Sequence, residues 1–181
     1  MRTIETQVFT YDELSEDAKE KARNWWCEVP HYDDWAESVL EDAKNIGLVI
    51  TEFDLDRRGV KASFKRYAEL TAVACTQEHG AECETYKDSE QFLLDLKTRH
   101  EAMESAIAAL KESGDPDDKI ADVESAFDGW LEDREAEYLH DMSENYRIML
   151  NREYEYVTSD DYVEEAIRAN EYEFTIDGKI H

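Results

Sequence analysis

Two runs of helical periodicity separated by one break, Gly114-Asp115-Pro116, constrain this chain more than any other feature. Before the break, Phe92, Leu93, Leu96, Met103, Ile107 and Leu110 recur at the spacing of one helix face. After it, Ile120, Val123, Phe127, Leu131, Tyr138, Met142, Tyr146 and Met149 do the same. A Gly that can end one helix, followed by a Pro that cannot continue it, separates two helices joined by a short turn. The pattern predicts helices over 88–113 and 117–150, packed antiparallel as a long hairpin.

The flanking segments read differently. Residues 2–9 alternate as a strand, and Ser15 stands as the N-cap of a helix over 16–28 carrying Ala18, Ala22, Trp25 and Trp26. A helix over 33–46 ends at Gly47, and 48–56 with 60–65 read as a β-hairpin around Arg57-Arg58-Gly59. A helix over 67–79 stops at Gly80. Beyond the long hairpin, 151–157 alternates as a strand, a short helix covers 159–170, and 172–176 reads as a last strand. The expected fold class is α+β, a small antiparallel sheet packed with helices plus the long antiparallel helical hairpin. Its parts are 1–87 (α+β), 88–150 (hairpin) and 151–181 (strand–helix–strand completing the sheet), within one domain from which the hairpin projects.

Charge is the second constraint. Against 20 Lys and Arg stand 46 Asp and Glu, a formal net charge of −26. Such a body repels nucleic acid and anionic membranes and draws in basic surfaces over long range. Four Trp, ten Tyr and six Phe in 181 residues set it apart from a disordered acidic tail. The excess concentrates in 117–144, at Asp117, Asp118, Asp122, Glu124, Asp128, Glu132, Asp133, Glu135, Glu137, Asp141 and Glu144, with only Lys119 and Arg134 to offset them. A helix of that span is about 42 Å long, so one carboxylate falls every ~3.8 Å, near the ~3.4 Å charge spacing along one DNA strand. Asp118 with Asp122, Asp128 with Glu132 and Asp133 with Glu137 are like-charged neighbours one turn apart, each weakening the helix by roughly 0.2–0.5 kcal/mol. A face shaped for solubility alone would intersperse Lys and Arg. The expectation is an ordered outward row of carboxylates, gripped by a cationic groove.

Chemistry-bearing motifs are sparse. Cys75, His79 and Cys83 are spaced as three potential zinc ligands, but Gly80 interrupts them and no fourth ligand is near. Asp54-Leu55-Asp56 faintly follows a calcium loop, yet Arg58 and Lys65 occupy positions that need oxygen donors. Asp115-Pro116-Asp117-Asp118 suits a helix N-terminus, where the dipole favours acids, better than a cation site. There is no HExxH, no phosphate-binding Gly-rich loop and no nucleophile elbow. Trp25, Trp26 and Trp35 read as core residues of amphipathic helices. The reading is therefore of a non-enzyme without cofactor or metal.

Three unpatterned cysteines fit a reducing cytoplasm, the N-terminal residues lack the apolar run of a signal peptide, and no stretch is apolar enough to span a membrane.

Phe9-Thr-Tyr-Asp-Glu-Leu-Ser-Glu-Asp-Ala-Lys-Glu-Lys-Ala22, Asp42-Ala-Lys-Asn-Ile-Gly-Leu48, Ile50-Thr-Glu-Phe-Asp-Leu-Asp-Arg57 and His79-Gly-Ala-Glu-Cys-Glu-Thr-Tyr-Lys87 resemble a family of small bacteriophage proteins. The likeness covers roughly the first half of the chain and implies a phage origin and a bacterial host cytoplasm, without catalytic residues to carry over. Joined to the acidity, it leads to an expected function: inhibition of a host nucleic-acid-handling defence complex, of the anti-CRISPR or antirestriction kind, through a DNA-like negative surface. The expected partner is a basic nucleic-acid-binding host protein or complex, not nucleic acid itself and not a membrane; a homo-oligomer stays open. The alternative is an antitoxin-like or assembly-control protein that binds one partner through apolar and aromatic surface.

Overall fold

The computed structural model describes residues 7–28, 34–55 and 59–181. In chain order its elements are a 3-10 turn (Tyr11–Glu13), α1 (Glu16–Glu28), α2 (Glu37–Ile46), β1 (Leu48–Asp54), β2 (Gly59–Phe64), α3 (Ala68–Glu78), α4 (Glu84–Ser113), α5 (Asp117–Val157) and α6 (Asp160–Ala169). The fold is α+β, with a two-stranded antiparallel sheet and a long helix pair. Two compact units divide it, Met1–Ser38 with Leu150–His181, and Val39–Met149.

In the first unit, Thr10 and Glu13 form a capping box, the Thr10 N–H donating to Glu13 Oε2 at 2.8 Å. The Ala18 N–H reaches Ser15 Oγ, so Ser15 takes its expected capping place. Ala18, Ala22 and Trp26 recur every four residues on α1 and are buried, together with Tyr11, Leu14, Val163, Ile167 and Phe174. Two small side chains on the inner face of α1 leave room for backbone to come close. The C-terminal residues use that room, pairing as isolated bridges Phe9 to Phe174 and Phe174 to Ile180. Arg23 ties this unit together, donating to the Tyr11 hydroxyl at 3.0 Å and to Glu164 at 2.8 Å.

The second unit holds the sheet and most of the hairpin. β1 and β2 pair from Leu48–Phe64 to Asp54–Gly59, with a bulge between Ile50 and Glu52. Gly47, at φ +87°, ends α2 as expected, and its carbonyl accepts from the Lys65 N–H. Across the hairpin Asn145 meets Asp88, Tyr138 meets Ser89 and Arg134 meets Asp95, so partners fall on α5 as they rise on α4 and the helices are antiparallel. The Tyr138 ring stacks on Phe92 of α4 at 4.6 Å and on Phe64 of β2 at 5.6 Å, and its hydroxyl meets Ser89 Oγ at 2.7 Å. That one side chain joins sheet and hairpin. Gly114, at φ +71°, closes α4 with its N–H on Leu110 and Lys111 carbonyls, and α5 begins three residues later.

Two expectations change at the C-terminal end. Residues 151–157 are the last two turns of α5, not a strand. The alternating Tyr154 and Tyr156 suggested a period of two, but both rings are exposed, while Leu150 and Val157, seven residues apart, are buried. With no Gly or Pro in between, the helix continues until the Thr158 N–H meets the Tyr154 carbonyl. Nor does 172–176 extend the sheet: only Phe174 makes bridges, and the described sheet is β1–β2 alone. Of the strand expected over 2–9, residues 2–6 lie outside the described residues and Phe9 contributes one bridge. The calcium-like Asp56 to Arg58 stretch also lies outside them.

Candidate functional site

α5 carries thirteen carboxylates against four basic residues over 41 positions. Nine of the eleven between 117 and 144 are exposed; Glu135 and Asp141 are half-buried. Among the described residues, ion pairs reach only two of the eleven: Glu137 from Arg134 at 3.3 Å, and Glu144 from Arg147 at 2.6 Å. Of the two cations expected to offset this surface, only Arg134 reaches any of it, at Glu137. Lys119 turns back to Asp115 in the inter-helix turn. Arg134, only 13% exposed, crosses to Asp95 Oδ2 on α4 at 3.1 Å and lies over the Phe92 ring. It is a strut of the hairpin more than a surface charge.

The carboxylates do not form one row. At about 100° per residue, Asp118, Asp122, Asp133, Glu137 and Glu144 fall on one flank of α5. Asp117, Glu124, Asp128 and Glu135 fall on the other, with Glu132 between. The expected axial spacing holds as an average along the helix, but the charges wrap more than half of its circumference. A partner that met them all would have to enclose the rod.

Crowding of like charge leaves a mark where a carboxylate sinks toward the hairpin. The Asp141 pKa is raised, first by burial and then by Asp88 and Glu137. A carboxyl whose folded pKa lies above its unfolded one destabilises the fold once ionised, and the penalty fades as pH falls through the folded value. Asp141→Asn is therefore expected to raise the melting temperature at neutral pH. The gain should shrink on acidification toward the ordinary carboxylate range, as a pH series of thermal melts would record. Glu144 behaves oppositely, its pKa lowered by the Arg147 guanidinium.

The Cys75, His79 and Cys83 trio does not converge. Cys75 is buried, its thiol donating to the Thr85 carbonyl at 3.3 Å and lying 3.3 Å from His79 Nδ1; burial raises its pKa. His79 Nδ1 also meets Thr85 Oγ1 at 2.7 Å, its Nε2 faces Asp42 at 3.3 Å, and Cys83 is exposed. This is a polar knot binding α3 to α2 and the start of α4, and Tyr146 adds α5 by donating to Asp42 at 2.7 Å. Among the described residues no group of three or more His, Cys, Asp or Glu is placed to hold a metal ion. Asp115 and Asp118 sit at the turn and first turn of α5, where Asp115 is held by Ser113 and Lys119.

One feature of α4 and α5 was hidden by their periodicity. Leu93, Leu96, Phe127 and Leu131 read as hairpin core, yet they are only half-buried and line an open cleft of ≈ 650 Å³ rimmed by Tyr67, which is 71% exposed. The sequence signal was there in Tyr67, an aromatic residue just ahead of α3.

Comparison with known proteins finds no matching family model, no matching curated protein and no matching solved structure. No helix among the described residues is long and apolar enough to cross a membrane.

Proposed function

We propose that this chain is an acidic inhibitor that lays α5 in a cationic groove built for nucleic acid, displacing phosphates from a host defence complex. One observation carries the reading: nine carboxylates between 117 and 144 have no Lys or Arg partner among the described residues, while the nearby cations are spent on the hairpin's own structure. Acids wrapped over both flanks suit insertion into a groove better than imitation of a single strand. Arg and Lys side chains lining such a groove would find acceptors on each wall. The resemblance of segments 9–22, 42–48, 50–57 and 79–87 to small bacteriophage proteins supports a target in a bacterial host.

The experiment is affinity capture from phage-infected bacteria at low and high salt, followed by nucleic-acid competition on the recovered complex. Recovery of a nucleic-acid-binding complex that salt releases, and whose nucleic acid the chain displaces, is the expected result. A partner retained at high salt, or one that binds the chain and nucleic acid together, would reject the groove.

The rejected case would favour the second reading, a protein that controls one partner through apolar contact. The cleft of Leu93, Leu96, Phe127 and Leu131 is the observation that supports it.

A further inference from the structure

Aromatic rings and carboxylates meet in the first unit at a place the acidic surface of α5 does not explain. A cleft of ≈ 370 Å³ is lined by Trp26 from α1, Asp34 and Trp35 from the segment before α2, Glu37 from its first turn, Glu153 near the end of α5, and Tyr162 from α6. That volume falls within the usual range for small-ligand pockets, about 300–1,000 Å³. The rings are held by neighbours. Trp35 packs edge-on against Tyr154 at 5.4 Å, Trp26 against Tyr172 at 5.7 Å, and Tyr162 against Tyr156 at 5.1 Å. Among the described residues the ion pairs include none to Asp34, Glu37 or Glu153, and no Lys or Arg lines the cleft.

We infer that this cleft binds the guanidinium of an arginine presented by a partner polypeptide. Indole and phenol faces attract cations through their quadrupole, and carboxylates without a cation of their own add charge. Those features alone would also suit a quaternary ammonium. The three carboxylates decide between them: they are acceptors, a quaternary ammonium has no N–H to give them, and a guanidinium carries five donors in a flat fork that also stacks on an aromatic face. The same carboxylates select the source. Free arginine brings its own carboxylate into a cluster of three others, whereas an arginine within a chain brings neutral amides. The inference goes beyond the reading of α5 and does not depend on it, because every lining residue belongs to the other unit.

The test is an NMR titration of the ¹⁵N-labelled full chain with N-acetyl-arginine amide, following the Trp26 and Trp35 indole N–H resonances. Saturable shifts are expected, about tenfold weaker in Trp35→Ala (followed at Trp26) and about fivefold weaker in Glu153→Gln, which keeps every ring in place. Glu90→Gln, exposed on α4 in the other unit, should leave the titration unchanged. N-acetyl-citrulline amide, the neutral isostere, should cause no saturable shift, and free arginine should bind more weakly than the amide. Equal binding of the citrulline compound or of choline overturns the guanidinium assignment. Tighter binding of free arginine overturns the polypeptide source, and unchanged affinity in Glu153→Gln overturns the site.

Discussion

Gly178→Ala is expected to destabilise the chain by about 3 kcal/mol and lower its melting temperature by roughly 10 °C. Gly178 sits at φ +81°, a left-handed conformation that a Cβ disfavours, and the space for that Cβ is already filled. It would collide with the Ala18 carbonyl oxygen and lie 2.8 Å from its carbon and 2.9 Å from Ala18 Cα. These are backbone atoms in the first turn of α1, so no side chain can swing aside. The C-terminal residues would have to lift from α1, taking with them Phe174, which is fully buried and contacts both Tyr11 and Trp25. Near-UV circular dichroism of the tryptophans should therefore weaken along with the thermal midpoint. Two other glycines calibrate the size of the effect. Gly47→Ala meets only Thr71 Oγ1 at 3.4 Å and should lose about 1 kcal/mol through its positive φ alone. Gly129, inside α5 with open space around it, should gain roughly 0.5–1 kcal/mol on becoming Ala. A Gly178→Ala midpoint close to that of Gly47→Ala would mean the close approach to α1 is not what holds the C-terminal residues.

That contact joins residues 160 positions apart, and nothing near Gly178 in the sequence announces it. Local features fared better. The Gly114 break, the capping Ser15, the turn at Gly47 and the helical spans of α4 and α5 each follow from a few adjacent residues, and the structure places them where those residues suggest. One misread stretch was 151–157, where alternating Glu and Tyr imitated a strand. Helix was decided by the burial of Leu150 and Val157, a property of the packed unit.

The candidate site divides along the same line. The number and exposure of the carboxylates were legible, because a charged helix without cations cannot bury them. Their placement over two flanks follows from helical geometry once the azimuth of each residue is followed as well as its height. The roles of Arg134 and Lys119 were not legible. Both precede or follow acids at helical spacing, and only the hairpin shows Arg134 turned inward to Asp95. The aromatic cleft had no sequence signature at all, since its residues come from four separate stretches of chain.

Exchanging charge on α5 is expected to move stability and binding in opposite directions, which separates a functional surface from a merely soluble one. Asp122→Lys, Glu132→Lys and Asp133→Lys change residues that are exposed and have no Lys or Arg partner among the described residues. Each new lysine lies one turn from a retained acid: Asp118, Asp128 and Glu137 respectively. Three repulsive pairs become attractive, each worth roughly 0.2–0.5 kcal/mol in either sense, so the triple variant should melt a few degrees higher than the parent. If those carboxylates face a cationic groove, the same three changes put like charges against it and should weaken partner binding on the order of 100-fold, most steeply at low salt. Calorimetric melting and equilibrium binding to the captured complex would read both quantities on one preparation. A variant that is more stable and binds as tightly as the parent would show that the like-charged turns of α5 serve something other than the groove. A variant that is more stable and no longer inhibits would account for a helix that keeps repelling itself.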